Sequence, residues 1–170
     1  KDIKTRPLKD LTKESIFNII NHSNKFNINL KNSKILDLFS GVGSFGIECL
    51  SRGVKTVVFI ENYTGVLPIL KKNLINLNFF KNYEIFEKNI YDDKTFLSLK
   101  NKFDIIFLDP PYKEQKLSHI LNKIIESEIL NNDGIIIIHR HKKEKDEFPK
   151  KFKIIEEKTY GISKILFISF

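Results

Sequence analysis

The chain holds no methionine, one cysteine and four histidines among its 170 residues, and each scarcity excludes something. The single cysteine, Cys49, cannot build an internal disulfide framework and fits a reducing, cytoplasmic compartment. Four scattered histidines and one cysteine suggest no zinc site, so no metal is expected. Apolar runs such as Ile135 to Ile138 fall far below the roughly 20 residues that span a bilayer, so no membrane association is expected. No signal peptide is visible, and there is no internal repeat, low-complexity segment or proline-rich linker. The lack of methionine, with Lys1 as the first residue, predicts that the natural start lies upstream.

What is present reads as one globular domain over 1–170, with 1–30 an N-terminal helical region and 31–170 the core. Hydrophobic residues make up 41% and mean hydropathy is −0.23, values of a soluble protein. Net charge is +8, from 29 Lys+Arg against 21 Asp+Glu. Such an excess favours a polyanionic partner, because lysines and arginines release counterions from phosphates. A bias towards Lys, Asn, Ile and Phe would raise the charge equally well, so charge alone does not decide.

Periodicity predicts alternating helices and strands. A helix over about Thr12 to Ile20, capped by Thr12, is followed by a strand at Lys34 to Phe39. A turn from Gly41 to Gly46 leads into a helix through about Arg52, which Gly53 stops. Further strands are expected at Lys55–Ile60, Tyr83–Glu87, Asp104–Leu108 and Gly134–His139. Helices are expected at Tyr63–Asn78, Asp92–Leu99 and Leu117–Ile129. Pro68 fits the first of these only in its opening turn or at a kink. Phe152–Glu156 and Ile162–Ile168 read as two strands joined through Tyr160-Gly161 with no helix between. Alternation implies an α/β fold, a mostly parallel sheet with helices on both faces, here closed by a C-terminal antiparallel hairpin.

Two motifs carry chemistry. Asp37-Leu38-Phe39-Ser40-Gly41-Val42-Gly43-Ser44-Phe45-Gly46 follows the first strand and opens a helix. Its glycines let backbone approach a ligand, and the helix start offers unpaired N–H groups. Gly41, Gly43 and Gly46 also satisfy the weak dinucleotide pattern G-x-G-x-x-G. Glu61 ends the next strand, 20 residues after Gly41, where an acid accepts hydrogen bonds from a ribose. Asp37 is the discriminating residue: an acid there repels a pyrophosphate but suits the ammonium of a methionine-like group. Asn89 and Ile90, after the third strand, fall where an adenine would lie, although Asn89 reads equally as a simple turn residue.

The second motif is Asp109-Pro110-Pro111-Tyr112, which ends the apolar run Ile105-Ile106-Phe107-Leu108. Two prolines cannot continue a strand or a helix, so the chain leaves the sheet there. Asp109 remains at the carboxyl end of the strand, where open α/β sheets bind ligands. A carboxylate, a proline-fixed carbonyl and an aromatic ring are the parts needed to hold the exocyclic amine of a nucleobase.

Together these residues resemble class I S-adenosylmethionine-dependent methyltransferases with a Rossmann-like, seven-stranded sheet. More narrowly they resemble the RsmD-type bacterial 16S ribosomal RNA (guanine-N2)-methyltransferases. The matching stretches are Arg6-Pro7, Glu14 with Phe17-Asn18, the run from Asp37 to Gly53, Glu61, Phe103 to Tyr112, and Tyr160-Gly161. The chain departs from that family at Lys13, often arginine, at Asn89, often aspartate, and near His139, where an acid is frequent. The family's N-terminal β-hairpin is absent from these residues.

The resemblance implies a catalytic group of Asp109, Pro110, Pro111 and Tyr112. It implies S-adenosylmethionine contacts by Asp37, Phe39, Gly41, Gly43, Glu61, Asn62, Asn89, Ile90 and Asp109. Ribosomal RNA of the small subunit is the implied partner of a cytoplasmic monomer, with Arg6, Lys13, Arg140 and Lys142 as candidate RNA contacts. The run Arg140-His141-Lys142-Lys143 reads equally as a solvated loop. Rival readings are a DNA adenine-N6 methyltransferase, an NAD-linked oxidoreductase and a cofactor-binding RNA protein without activity.

Overall fold

The computed structural model describes residues 10–76, 81–111 and 116–170. Arg6, Pro7 and Tyr112, singled out above, and Asn78, the expected end of a helix, lie outside the described residues. Seven strands form one sheet in the order β3-β2-β1-β4-β5-β7-β6. The strands are β1 Lys34–Leu38, β2 Thr56–Ile60, β3 Tyr83–Phe86, β4 Phe103–Leu108, β5 Leu130–His141, β6 Lys153–Tyr160 and β7 Ser163–Ser169. The first five run parallel, whereas β7 lies antiparallel between β5 and β6. The expected closing hairpin therefore places one antiparallel strand in the sheet.

Helices cover both faces. Five are described: α1 Asp10–His22, α2 Ser44–Ser51, α3 Leu67–Ile75, α4 Asp93–Leu97 and α5 Leu117–Glu126. Alternation along the strands divides the core. Leu36, Leu38, Ile106, Leu108, Ile136 and Ile138 pack with α4 and α5. Ile35, Ile105, Phe107, Ile135, Ile137 and Phe167 pack with α1, α2 and α3. The central strands are buried on both faces, which is why they read as unbroken apolar runs. At the opposite end of the sheet, Asp104 pins the register: one oxygen accepts from Lys34 N–H at 2.8 Å and the other from the Asn131 amide at 2.7 Å.

Two helix starts differ from expectation. Thr12 is not a cap; α1 is already helical at Asp10, and Thr12 is buried inside it. Its position on the same face as Ile16 and Ile20 explains its burial. The third helix begins at Leu67, not Tyr63, so Pro68 sits in its first turn and no kink is needed. The preceding Tyr63 and Val66 form a turn instead, with Val66 N–H bonded to Tyr63 O. β5 starts four residues earlier than expected, at Leu130, because Leu130 pairs with Phe103 before Gly134 is reached.

Gly46 sets how closely α2 lies on the sheet. A Cβ there would fall 2.3 Å from the Phe59 ring and 2.9 Å from a Val57 methyl, both on β2. Gly46→Ala is therefore expected to destabilise the fold by about 1–3 kcal/mol through overpacking. Thermal denaturation should register a fall in Tm of roughly 2–4 °C per kcal/mol in a domain of this size; an unchanged Tm would mean that α2 shifts freely.

Candidate active site at the carboxyl edge of the sheet

β1, β2 and β4 are adjacent and parallel, so the residues that leave them converge at one edge. β1 contributes Asp37, which is 1% exposed and accepts the Gly46 N–H at 3.0 Å. The chain then turns sharply at Phe39, a non-glycine residue with φ of 59°. Such a conformation costs on the order of 1 kcal/mol or more and marks a backbone held for a purpose. The Ser40 hydroxyl donates to Asp37 O at 2.6 Å and ties the turn to the strand it leaves. Gly43, with φ of 85°, precedes α2, and a Cβ there would meet Leu70 at 2.6 Å.

Glu61, at the end of β2, orders the glycine loop. Its Oε2 accepts Gly41 N–H at 2.8 Å, and its Oε1 accepts the N–H groups of Asn62 and Tyr63 at 2.9 and 2.8 Å. Asn62 thus contributes its backbone to this knot, with an exposed side chain. Asn89 forms a turn: its side-chain oxygen accepts Tyr91 N–H at 3.0 Å, and its carbonyl accepts the Thr95 hydroxyl at 2.6 Å. Ile90 is buried beneath that turn. Phe39 and Tyr91 meet edge-to-face with centroids 6.1 Å apart, and the Lys116 ammonium lies 5.2 Å from the Tyr91 centroid.

β4 delivers Asp109, whose N–H reaches back to Leu38 O at 3.5 Å. Its side chain is 23% exposed, and its Oδ1 lies 2.8 Å from His139 Nδ1 at the end of β5. His139 Nε2 in turn lies 2.9 Å from the Ser163 hydroxyl on β7. Pro110 is buried and Pro111 exposed. The Pro111 carbonyl accepts from Arg140 NH1 at 3.3 Å.

Arg140 corrects one expectation. It is 1% exposed and clamped by Asp146, whose two carboxylate oxygens accept Nε–H at 3.0 and 3.1 Å. Glu144 stands 3.7 Å from its NH2. It braces the proline turn from within and does not present itself to an RNA. Lys142 and Lys143 are exposed as expected of a solvated loop. Lys13, on α1, is paired with Asp10 at 3.2 Å. With Val42, Ser44, Glu48 and Asn73 it borders an open hollow of about 290 Å³.

Sequence reasoning missed His139, Ser163 and Asp146. A signal for His139 was present. Asp109 and His139 are each the first polar residue after a four-residue apolar run, Ile105–Leu108 and Ile135–Ile138, in parallel strands paired Leu108↔Ile138. The two therefore stand level on one face.

Burial pushes the Asp37 carboxyl well above the usual carboxylate range; the Gly46 hydrogen bond pulls it down, and Asp109 and Glu61 push it up again. Three acids therefore crowd a glycine loop and a helix start. That set suits a positively charged ligand and opposes a pyrophosphate.

The family described as "Conserved hypothetical protein 95" matches residues 1–169. The chain belongs to this family. The RsmD-type resemblance of the motifs is thereby shown. YlbH of Bacillus subtilis (strain 168), whose name proposes an rRNA methyltransferase, is 36% identical over 162 residues, 94% of this chain and 84% of that protein. Ribosomal RNA small subunit methyltransferase D of Haemophilus influenzae is 31% identical over 158 residues, 92% and 79% of the two chains. Among solved structures, yhhF from Escherichia coli, whose name proposes a methyltransferase, superimposes with a TM-score of 0.78 at 25% identity. The match covers 98% of this chain and 88% of that one. As a family these are methyltransferases.

Because Asp37 is held buried against its preference for water, its neutral isostere should relieve the fold. Asp37→Asn keeps an acceptor for the Gly46 N–H and removes the buried charge. A raised folded pKa gives a contribution to stability that is full at low pH and lost as pH rises through it. The variant's advantage in Tm should therefore grow as pH rises from the acid range towards neutrality. Parallel Tm curves for the two proteins across pH would contradict the raised pKa.

Proposed function

We propose that the protein transfers the methyl group of S-adenosylmethionine to the exocyclic N2 amine of a guanine in small-subunit ribosomal RNA. The observation that carries the reading is the convergence of Asp37, Glu61 and Asp109 on the glycine loop at one sheet edge. S-adenosylmethionine is cationic at both its ammonium and its sulfonium, and the sulfonium supplies an activated methyl group. Asp37 faces the ammonium across the first turn of α2, and Glu61 accepts from the ribose. Gly41 and Gly43 let the backbone come close, while Phe39, Asn62, Asn89 and Ile90 border the adenosine. The names of the relatives support the RNA substrate, and a net charge of +8 agrees with a polyanion.

An exocyclic amine is a poor nucleophile because its lone pair is delocalised into the ring. Asp109 and the Pro110 carbonyl accept its two N–H bonds, which turns the lone pair towards the methyl group. Positioning supplies much of the acceleration. As the nitrogen gains positive charge, the Asp109 carboxylate stabilises it without having to reorganise. Pro111 holds the turn, and Tyr112 stacks on the extruded base. Arg6, Lys13 and Lys142 guide the phosphate backbone. A cytoplasmic monomer completes the reading.

The test combines labelled S-adenosylmethionine with small ribosomal subunits from cells lacking the modification, with naked ribosomal RNA and duplex DNA alongside. Digestion to nucleosides should place the label on guanine N2. Label on adenine N6 of DNA would instead support the DNA-modifying reading. Asp109→Ala is expected to lower transfer by about 100-fold or more, in line with loss of a preorganised charge, while cofactor affinity changes only a few-fold. Equal loss of binding and turnover would overturn the role given to Asp109.

A further inference from the structure

We infer that His139 and Ser163 form a buried positioning pair that presents the Asp109 carboxylate to the substrate amine in a single orientation. The inference rests on the proposed role of Asp109. It begins with an oddity of the sheet. The face of β5 that meets α1 to α3 carries Ile135 and Ile137, and its neighbours on β4 and β7 are Phe107, Ile165 and Phe167. Alternation would continue this apolar face at 139 and 163. The residues there are His139, 6% exposed, and Ser163, 4% exposed.

Buried polar groups weaken a core unless they are hydrogen-bonded, and these two serve no strand ladder with their side chains. What they do is bond in line. Asp109 Oδ1, His139 Nδ1 and Nε2, and the Ser163 hydroxyl follow one another at 2.8 and 2.9 Å. Register explains the alignment: Leu108↔Ile138 puts Asp109 and His139 level, and His139↔Ile165 with His141↔Ser163 leaves Ser163 diagonally across on the same face.

The order Ser–His–Asp is that of a hydrolytic triad, but the serine is in the wrong place for that chemistry. Ser163 is covered, so its hydroxyl cannot reach a substrate, whereas the exposed member is the carboxylate. The chain therefore works in the opposite sense. An ionised Asp109 only accepts hydrogen bonds, so the shared proton belongs to Nδ1. Nε2 then carries a lone pair, which the Ser163 hydroxyl fills as donor. Serine thereby selects the imidazole tautomer, the imidazole fixes one carboxylate oxygen, and the second oxygen is oriented towards the exposed edge. This is the same logic by which outer hydrogen bonds orient a metal-bound histidine.

The tautomer can be read without any substrate. Long-range proton–nitrogen spectra of the ¹⁵N-histidine-labelled protein should give His139 a protonated Nδ1 and an unprotonated Nε2. Variants of His22, His119 and His141 assign the signals by elimination, so the measurement needs no change at His139. A protonated Nε2 with a bare Nδ1 would overturn the inference.

Kinetics give the second readout. The amide nitrogen of asparagine lies near the position of Nδ1, and that of glutamine near the position of Nε2. His139→Asn should keep the donor to Asp109 and retain methyl transfer within a few-fold of the parent. His139→Gln and His139→Leu should lose about 10- to 100-fold in kcat, the range for partners that orient an active group, with KM for RNA unchanged. A role in folding alone would lower the asparagine and glutamine variants alike, and that result would overturn the inference. If the parent protein methylates no nucleic acid, the reading of Asp109 as an amine acceptor falls, and the tautomer still decides whether the pair is built as described.

Discussion

The hydrogen bond from Gly46 N–H to the buried Asp37 carboxylate is the constraint on which the rest of the edge depends. It requires the first turn of α2 to sit directly over the end of β1. That approach is open only because residue 46 has no side chain to meet Phe59 and Val57. It also requires the chain to reverse within a few residues of β1, which Phe39 and Gly43 accomplish with positive φ. Once the turn is made, Gly41 N–H faces Glu61 across the gap between β1 and β2. The loop is thus held at both ends by carboxylates from adjacent strands. Strain and buried charge are concentrated in this one turn, while the sheet behind it is packed with isoleucine, leucine and phenylalanine.

Much of this was legible from the residues, for physical reasons. Parallel strands buried on both faces leave unbroken apolar runs, and the residue that ends a run marks the edge of the sheet. Glu61 and Asp109 stand out on that basis alone, and Asp37 by interrupting its apolar strand just before the glycines; the antiparallel hairpin stands out because it has too few residues between its strands for a crossover. Pro68 was ambiguous because proline suits a first turn and a kink alike; the turn formed by Tyr63 to Val66 settles it. Thr12 combines two signals, because threonine caps helices while its spacing from Ile16 puts it on the buried face, and burial decides.

Arg140 was harder. A basic run after a strand looks like a surface, and nothing local reveals that a carboxylate six residues on, Asp146, folds back to enclose the guanidinium. Burial of a long cation is decided by tertiary pairing, which periodicity does not encode. His139 lies between these cases. Its position at the end of an apolar run was visible, but a lone histidine on a strand says nothing until the register brings Asp109 and Ser163 beside it.

The two aspartates at opposite ends of the parallel strands show how one residue type can serve two purposes. Asp104, at the amino edge, shares its oxygens between Lys34 N–H and the Asn131 amide. Both donors belong to the strands it joins, so its whole effect is to lock β1, β4 and β5 in register. Asp37 has a backbone donor too, but its charged neighbours are Asp109 and Glu61, which raise the energy of its ionised form. A fold that needed only a strand-ending acid would pair it, as it pairs Asp104. A positive group entering beside Asp37 would offset the repulsion that Asp109 and Glu61 exert on its ionised form, which is the electrostatic sense in which this edge differs from the one Asp104 closes.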